Sequence, residues 1–404
     1  MRVLLLTQWF DPEPTPKGLS FAKELVASGC EVEVVTGFPN YPGGKVYPGY
    51  RIKALQREKI DGVWVTRLPL YPSHDGSAAR RVLNYVSFAA SALIYGLFLA
   101  KRPSVIYAYH PPLTVGIAAS LIRLIRRIPV VYDIQDMWPD TLKATGMLNN
   151  PVALRVVGWV CSWVYRCVDR IVVLSPGFKR LLIERDVDAG KIDVIYNWCD
   201  ESQLAIADSS IPDSFPDDRY FRVLFAGTMG KAQALDAVLD AAKILKDELP
   251  DVKFVFVGGG VESERLKERA VLEAIQNVVF IPRVPMSQVG VMLRAANVLL
   301  VHLKKDPLFE ITIPSKTQAY MAVGRPVIMG VSGDAKDIVR DAGCGFCAES
   351  ESPISIAQAV LEARNSSAEK ILRLGRAGAE YYKNNMSLKV GAAKFKELFT
   401  SFSK

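Results

Sequence analysis

Pro314, Ser315 and Lys316 stand together between an apolar strand-like run and a helix-like stretch, and at that place they could hold an anion. Proline suits the first turn of a helix, where backbone N–H groups are free and the helix dipole is positive. Ser315 adds a hydroxyl and Lys316 a full charge, which together make the parts of a diphosphate cradle. An ordinary capped helix with a solvated lysine would carry the same residues, so the spacing leaves both readings open. Glu310, just upstream, is placed where a carboxylate could bind sugar hydroxyls. Gly227-Thr228-Met229-Gly230-Lys231 form a glycine-rich loop that could bring backbone and Lys231 to a phosphate, and Gly258 to Gly260 form a second glycine turn.

In the first half, Gly18 precedes a helix after a proline-rich loop and could permit close approach of backbone to phosphate. His110 ends the apolar run Val105 to Tyr109 and could hydrogen-bond a reacting sugar or accept a proton. Asp133 and Asp136 end the next strand. Each has a structural alternative of comparable weight: a turn glycine, a core histidine, a helix cap. Asp186 and Asp188 spell a DxD string in a polar turn, a poor setting for a metal. Cys344 and Cys347 have CxxC spacing without a second pair, so no metal is expected and the six scattered cysteines read as thiols.

The elements that must carry these groups alternate short β-branched runs with longer helical stretches, twice, which predicts two doubly wound parallel-sheet α/β domains. Strands are expected at 3–6, 31–36, 63–68, 105–109, 130–134, 171–174 and 193–196, and again at 223–226, 254–257, 279–281, 298–301 and 327–329. A polar stretch from Cys199 to Tyr220 reads as a linker. The expected domains are residues 1–198 and 220–383, with a terminal helix over 384–404 packing back on the first. Ligands in such folds bind beyond the carboxyl ends of the strands, so the cleft between the sheets is the default site. A length of 404 residues suits two cores.

The net charge of +8 could suit nucleic acid, membrane or phosphorylated ligands. Its placement favours membrane: Arg80, Arg81, Lys101 and Arg102 flank the nearly wholly apolar run Val82 to Ala100, and Arg123, Arg126 and Arg127 end the next apolar helix. A spanning helix would interrupt the strand-helix rhythm and ranks below a buried helix or one lying in the interface. The first residues lack the basic start and cleavage site of a signal peptide, so export is not expected.

Several long stretches carry a resemblance: Gly37-Phe38-Pro39-Asn40-Tyr41-Pro42, Tyr71-Pro72-Ser73-His74-Asp75, Tyr132 to Asp140, Val173 to Phe178 and Pro314 to Tyr320. Together they resemble the GT-B glycosyltransferases of family 4, in particular the WbuB-like, N-acetyl-L-fucosamine transferase type of bacterial surface-polysaccharide assembly. The resemblance implies a retaining, metal-independent transferase. It would move a sugar from a UDP-sugar to a polyprenyl-diphosphate-linked saccharide of O-antigen, capsule or lipopolysaccharide, without nucleic acid as a partner. It also implies a cytoplasmic enzyme, peripheral or monotopic on an anionic inner-membrane surface, with donor on the second domain and acceptor on the first.

Carried over residue by residue, the family's roles fall on His110, Glu310 and Lys316 for catalysis, and on Gly18, Gly227, Lys231, Arg283, Ser315, Lys316 and Thr317 for the donor. The family's ribose-binding glutamate falls on Ala319, its other glutamate on Ile311 beside Glu310, and its usual basic pair on Thr228 and Gln233, with Lys231 near. A sugar-nucleotide 2-epimerase, or an idle nucleotide-sugar-binding partner, would share the architecture. Acceptor-dependent UDP release, acceptor-free epimerisation or binding alone separates the three.

Overall fold

The computed structural model describes residues 1–73, 78–204 and 210–403; His74 and Asp75 of the Tyr71 stretch, and part of the expected linker, lie outside them. Residues 1–196 and 388–404 form one compact unit and residues 197–387 another. In the first unit the strands are β1 (Arg2–Leu6), β2 (Glu31–Gly37), β3 (Gln56–Ile60), β4 (Val63–Leu68), β5 (Val105–Tyr109), β6 (Val130–Ile134), β7 (Arg170–Val173) and β8 (Ile192–Val194). They lie in the order β3-β4-β2-β1-β5-β6-β7-β8. The second unit holds β9 (Phe221–Thr228), β10 (Val252–Gly259), β11 (Val278–Ile281), β12 (Val298–His302), β13 (Val327–Gly330) and β14 (Gly345–Cys347), ordered β11-β10-β9-β12-β13-β14.

Both sheets are doubly wound as expected, because runs such as Val-Ile-Tyr-Ala-Tyr are apolar throughout and must be covered on both faces. The order reverses between β1 and β5 in one sheet and between β9 and β12 in the other, which opens a crevice at each of those strand ends. Two strands escaped the sequence reading. β3, Gln-Arg-Glu-Lys-Ile, is a charged edge strand paired antiparallel with β4. Its signal was the Asp61-Gly62 turn, with φ of 46° and 88°, the left-handed pair that a tight hairpin requires. β14 is only three residues long, too short for alternation to be read.

The apolar run after β4 forms a helix over Ala78–Ile94 that continues as a wider turn over Tyr95–Leu99 before β5. One side is pinned to the sheet. Buried Asn84 accepts from Gln8 Nε2 at 2.5 Å, Tyr95 donates to Glu33 at 2.6 Å, and Phe88 is buried. Arg126 donates to the carbonyls of Gly96 and Ala100, and Arg123 grips Asp169 through two bonds of 2.6 Å. Both arginines at the end of the next helix (Leu113–Arg126) are thus engaged inside the unit rather than offered outward, unlike the expectation from sequence.

The helix Leu388–Thr400 packs on the helix Leu19–Ala27. Phe395 meets Phe21 and Tyr107, each with ring centroids 5.2 Å apart, and Lys396 donates to the carbonyl of Ser28. Phe395 is fully buried. Phe395→Ala should therefore destabilise the first unit by about 3–5 kcal/mol through lost burial and a residual cavity, read as a lowered urea midpoint.

Candidate functional site

In the second unit, a cavity of about 430 Å³ opens at the carboxyl ends of β9 and β10. Its wall includes Gly227, Thr228, Gln233, Arg283, Ser315, Lys316 and Ala319, so four of the expected donor residues come together from three separate loops. The helix begins at Ser315, with Pro314 as the flanking residue, one position later than the sequence suggested. A helix start leaves its first N–H groups without intrahelical partners, and Ser315 and Lys316 at this start line the cavity.

Lys316 sets the electrostatics. Its Nζ is buried without a hydrogen-bond partner and lies 3.3 Å from the centroid of the Phe225 ring. Burial pushes this amine down to about 7. The ring face offers its negative quadrupole, but no carboxylate balances the charge among the described contacts. An ammonium in that position is stabilised by an anion arriving in the cavity. Gly227, with φ of 137°, passes so close that an added Cβ would stand 3.1 Å from Lys316 Nζ. The loop leaves the lysine its place only because residue 227 has no side chain.

The glycine turns serve packing between loops. A Cβ at Gly258 or Gly260 would collide with the backbone of Gly227 or Met229, so these glycines let the two loops stack. Two positioning residues, Tyr320 and His302, were missed from sequence. The Tyr320 hydroxyl accepts from Ala226 N at 2.9 Å and fixes the end of β9; its signal was the four-residue step from Lys316, which puts both on one helix face. His302 holds Gln233 O at 2.7 Å through Nδ1 while its Nε2 accepts from Glu351 N, and Gln233 in turn accepts from Gly230 N at 3.0 Å. Burial lowers the pKa of His302, which keeps the ring neutral for these two bonds.

Other expected residues stand elsewhere. Lys231 is exposed and lines a neighbouring opening with Asp236, Glu262 and Arg265. Thr317 is fully buried, its hydroxyl without a partner. Glu310 ends the short helix Pro307–Glu310 and is not among the side chains that line the cavity; its backbone packs against Gly333. Where the resemblance expected a ribose-binding carboxylate, the wall presents the methyl group of Ala319.

In the first unit, Gly18 and His110 both stand at the β1/β5 crevice. The group nearest Gly18 is the Asp11 carboxylate, which accepts from Leu19 N at 2.6 Å and so occupies the helix start itself. His110 is buried edge-on between Tyr132 and Trp138, its Nδ1 has no partner, and desolvation pushes it down to about 3. Such an imidazole stays neutral and can exchange hydrogen bonds, but it is a poor store for a proton. Asp133 accepts from Tyr107 and Gln135 at 2.5 Å and lies 4.0 Å from buried Lys17, which burial holds down to about 8. Asp188 accepts from Gly190 N and shapes a turn.

Two family descriptions match the chain: glycosyl transferase 4-like domain over residues 19–198, and glycosyl transferases group 1 over residues 208–381. The chain is 27% identical over 339 residues to the putative colanic acid biosynthesis glycosyl transferase WcaI of Escherichia coli, covering 80% of this chain and 82% of WcaI. It is 25% identical over 269 residues to the probable glycosyltransferase WbjE of Pseudomonas aeruginosa, covering 65% of this chain and 66% of WbjE, just under two thirds of that protein's length. Among solved structures, sucrose-phosphate synthase from Thermosynechococcus elongatus superposes with a TM-score of 0.74 at 17% identity, covering 99% of this chain and 98% of that one. Anabaena HepE in complex with UDP and glucose gives 0.66 at 15%, covering 99% of each. At those identities the structures speak for the fold alone, but the two family matches between them take in nearly all of a chain with two doubly wound sheets. The chain is a glycosyltransferase of the GT-B architecture, with a family 4-like first domain and a group 1 second domain.

Proposed function

We propose that this enzyme is a retaining transferase that takes a sugar, N-acetyl-L-fucosamine, from a UDP-sugar bound in the second domain to a polyprenyl-diphosphate-linked saccharide bound by the first, in surface-polysaccharide assembly. The observation that carries the donor half is the unpaired Lys316 ammonium, buried beside a helix start and a cavity. As the anomeric bond breaks, negative charge grows on the departing diphosphate. Lys316, the Ser315 N–H and hydroxyl, and Arg283 at the cavity wall are groups able to stabilise it. The apolar wall of Val257, Val284 and Val289 suits the flat face of a base. His110, neutral and with a free ring nitrogen, orients a sugar hydroxyl. Glu310 is assigned to the sugar by resemblance only, and its place outside the cavity wall makes it the weaker partner. These cations supply the charge without a divalent metal, so turnover in excess EDTA should match that in magnesium.

Involvement in surface polysaccharide is supported by the likeness to WcaI, a putative colanic acid biosynthesis glycosyl transferase. Association with a membrane is supported by the first domain. The helical run Ala79–Leu99 is long and apolar enough to cross a bilayer, yet one side is tied to the sheet and the other carries exposed Val82, Val86, Ile94 and Phe98. The helix Leu113–Arg126 beside it exposes Leu124 and Ile125, and the helix packed against that one, Pro151–Cys167, exposes Val156 and Trp159. Lys101, Arg102 and Arg127 are exposed at the margin. Such a surface fits an interfacial rather than a spanning helix, with cations meeting anionic headgroups.

Lys316→Ala should cut UDP-sugar turnover by about a hundredfold or more while leaving the circular dichroism spectrum unchanged, and near-normal transfer would refute the assignment. The pH dependence has a definite sign. Free Lys316 is protonated below about 7 and loses its proton above. UDP prefers the charged form, so its affinity should fall as pH rises from 7 to 9, approaching about tenfold per unit, and Lys316→Met should flatten that slope in calorimetry. On vesicles containing phosphatidylglycerol the protein should co-sediment, and the double variant Phe98→Ser, Trp159→Ser should lose most of that binding; equal sedimentation would refute the interfacial reading.

A further inference from the structure

Where the first sheet reverses direction, three aromatic rings from three different elements meet. Trp9 follows β1, Tyr41 follows β2, and Tyr85 belongs to the apolar helix Ala78–Ile94. Trp9 stacks on Tyr41 with centroids 4.5 Å apart at 27°, and meets Tyr85 edge-on at 6.5 Å. All three are half-buried, so the cluster keeps part of its surface open.

A buried polar network holds the rings in place. Glu13 accepts from Phe10 N at 3.2 Å and from Asn40 N and Tyr41 N at 2.7 Å, which ties the loop after β1 to the loop after β2. Asn84, next to Tyr85, accepts from Gln8 and donates to Asn40 Oδ1 and to the carbonyl of Tyr71. Burying a carboxylate and three amides at the end of an otherwise apolar sheet is costly unless all their bonds are made. Among the polar atoms left buried without a partner in this unit are Gln8 Oε1 and His110 Nδ1, at the ends of β1 and β5. A scaffold needed only for folding would be built from carbon. This one fixes aromatic faces and leaves polar atoms for something else to satisfy.

A flat apolar face beside unsatisfied hydrogen-bonding atoms matches a pyranose ring, which presents C–H groups on one side and hydroxyls around its edge. We propose that Trp9, Tyr41 and Tyr85 form the platform on which a sugar ring of the lipid-linked acceptor stacks. This rests on the acceptor class given under Proposed function and adds the place where that acceptor sits. The helix that supplies Tyr85 also carries Arg81 and the exposed Val82, Leu83 and Val86. The helix under the saccharide thus offers Arg81, one turn from Tyr85, as a cation for its diphosphate, and an exposed apolar face for its prenyl chain.

The test uses full-length protein, the lipid-linked saccharide fraction extracted from the source membranes, and the free oligosaccharide released from that fraction by mild acid. Trp9→Ala should raise the KM for the lipid-linked fraction by about tenfold, the scale of one aromatic stacking contact, and abolish calorimetric binding of the free oligosaccharide. Trp9→Phe should restore most of both, and the urea midpoint of the first unit and the Kd for UDP should stay at the wild-type values in each, which reports that both units are folded. An unchanged acceptor KM in Trp9→Ala with normal UDP binding would overturn the platform. If the wild type releases no UDP with this fraction, the acceptor class falls. The platform is then decided by the oligosaccharide alone: loss of its binding in Trp9→Ala supports it, and no binding to the wild type overturns it.

Discussion

An ammonium group enclosed by carbon costs free energy that the folded chain must recover from elsewhere, and in this enzyme the group is Lys316. Its amine lies against the face of Phe225 with no hydrogen-bond partner, which brings its pKa down to about 7. A solvated lysine would be stable without a ligand and would gain little by binding one. The buried one gains strongly from any anion that reaches it, because the anion replaces lost hydration and meets the charge in a low-dielectric setting. Other features of the second domain follow from keeping that amine in place. Gly227 has no Cβ because one would press on it, and Gly258 and Gly260 have none because their loop must pack on Gly227 and Met229.

Rigidity around the lysine comes from neighbours that need never touch the substrate. Tyr320 pins the end of β9, and His302 clamps Gln233 and Glu351 with its two ring nitrogens. Since Gln233 also receives the Gly230 N–H, the loop that borders the cavity is tied at two points. A site organised in this way holds its dipoles fixed before the substrate arrives, so little reorganisation is needed when charge moves to the leaving group.

The sheets were legible because strands such as Val105–Tyr109 are apolar on both faces, a pattern that only a doubly covered sheet satisfies. The short edges were less legible: β3 is charged and β14 too brief, and both are defined by their neighbours rather than by their own residues. At the site, the Pro-Ser-Lys start could be read because helix termini bind anions for local reasons. Its gathering with Arg283 and Gly227 is a tertiary fact, set by loops spread along the chain from Gly227 to Lys316. The burial of Lys316 and the neutrality of His110 are invisible in a sequence for the same reason. Gly18 shows the converse: its local signal was that of a phosphate turn, and the chain's own Asp11 fills the position.

The apolar run of the first domain shows how a few polar residues decide the fate of a hydrophobic helix. By length and composition, Ala79–Leu99 could cross a bilayer. Asn84 and Tyr95 are spent inward, on Gln8, Asn40 and Glu33, while Arg126 holds the carbonyls at the far end. Releasing the helix into lipid would break these bonds and strip one face of a sheet whose strands are apolar on both sides. The bonds therefore fix the helix as the crossover between β4 and β5, and its remaining apolar side is left facing outward. That division requires an amphipathic helix of an unusual kind, in which the polar stripe faces the protein and the apolar one faces away. The interfacial docking proposed above would suit such a stripe, since a bilayer surface takes outward carbon without asking the inward bonds to break.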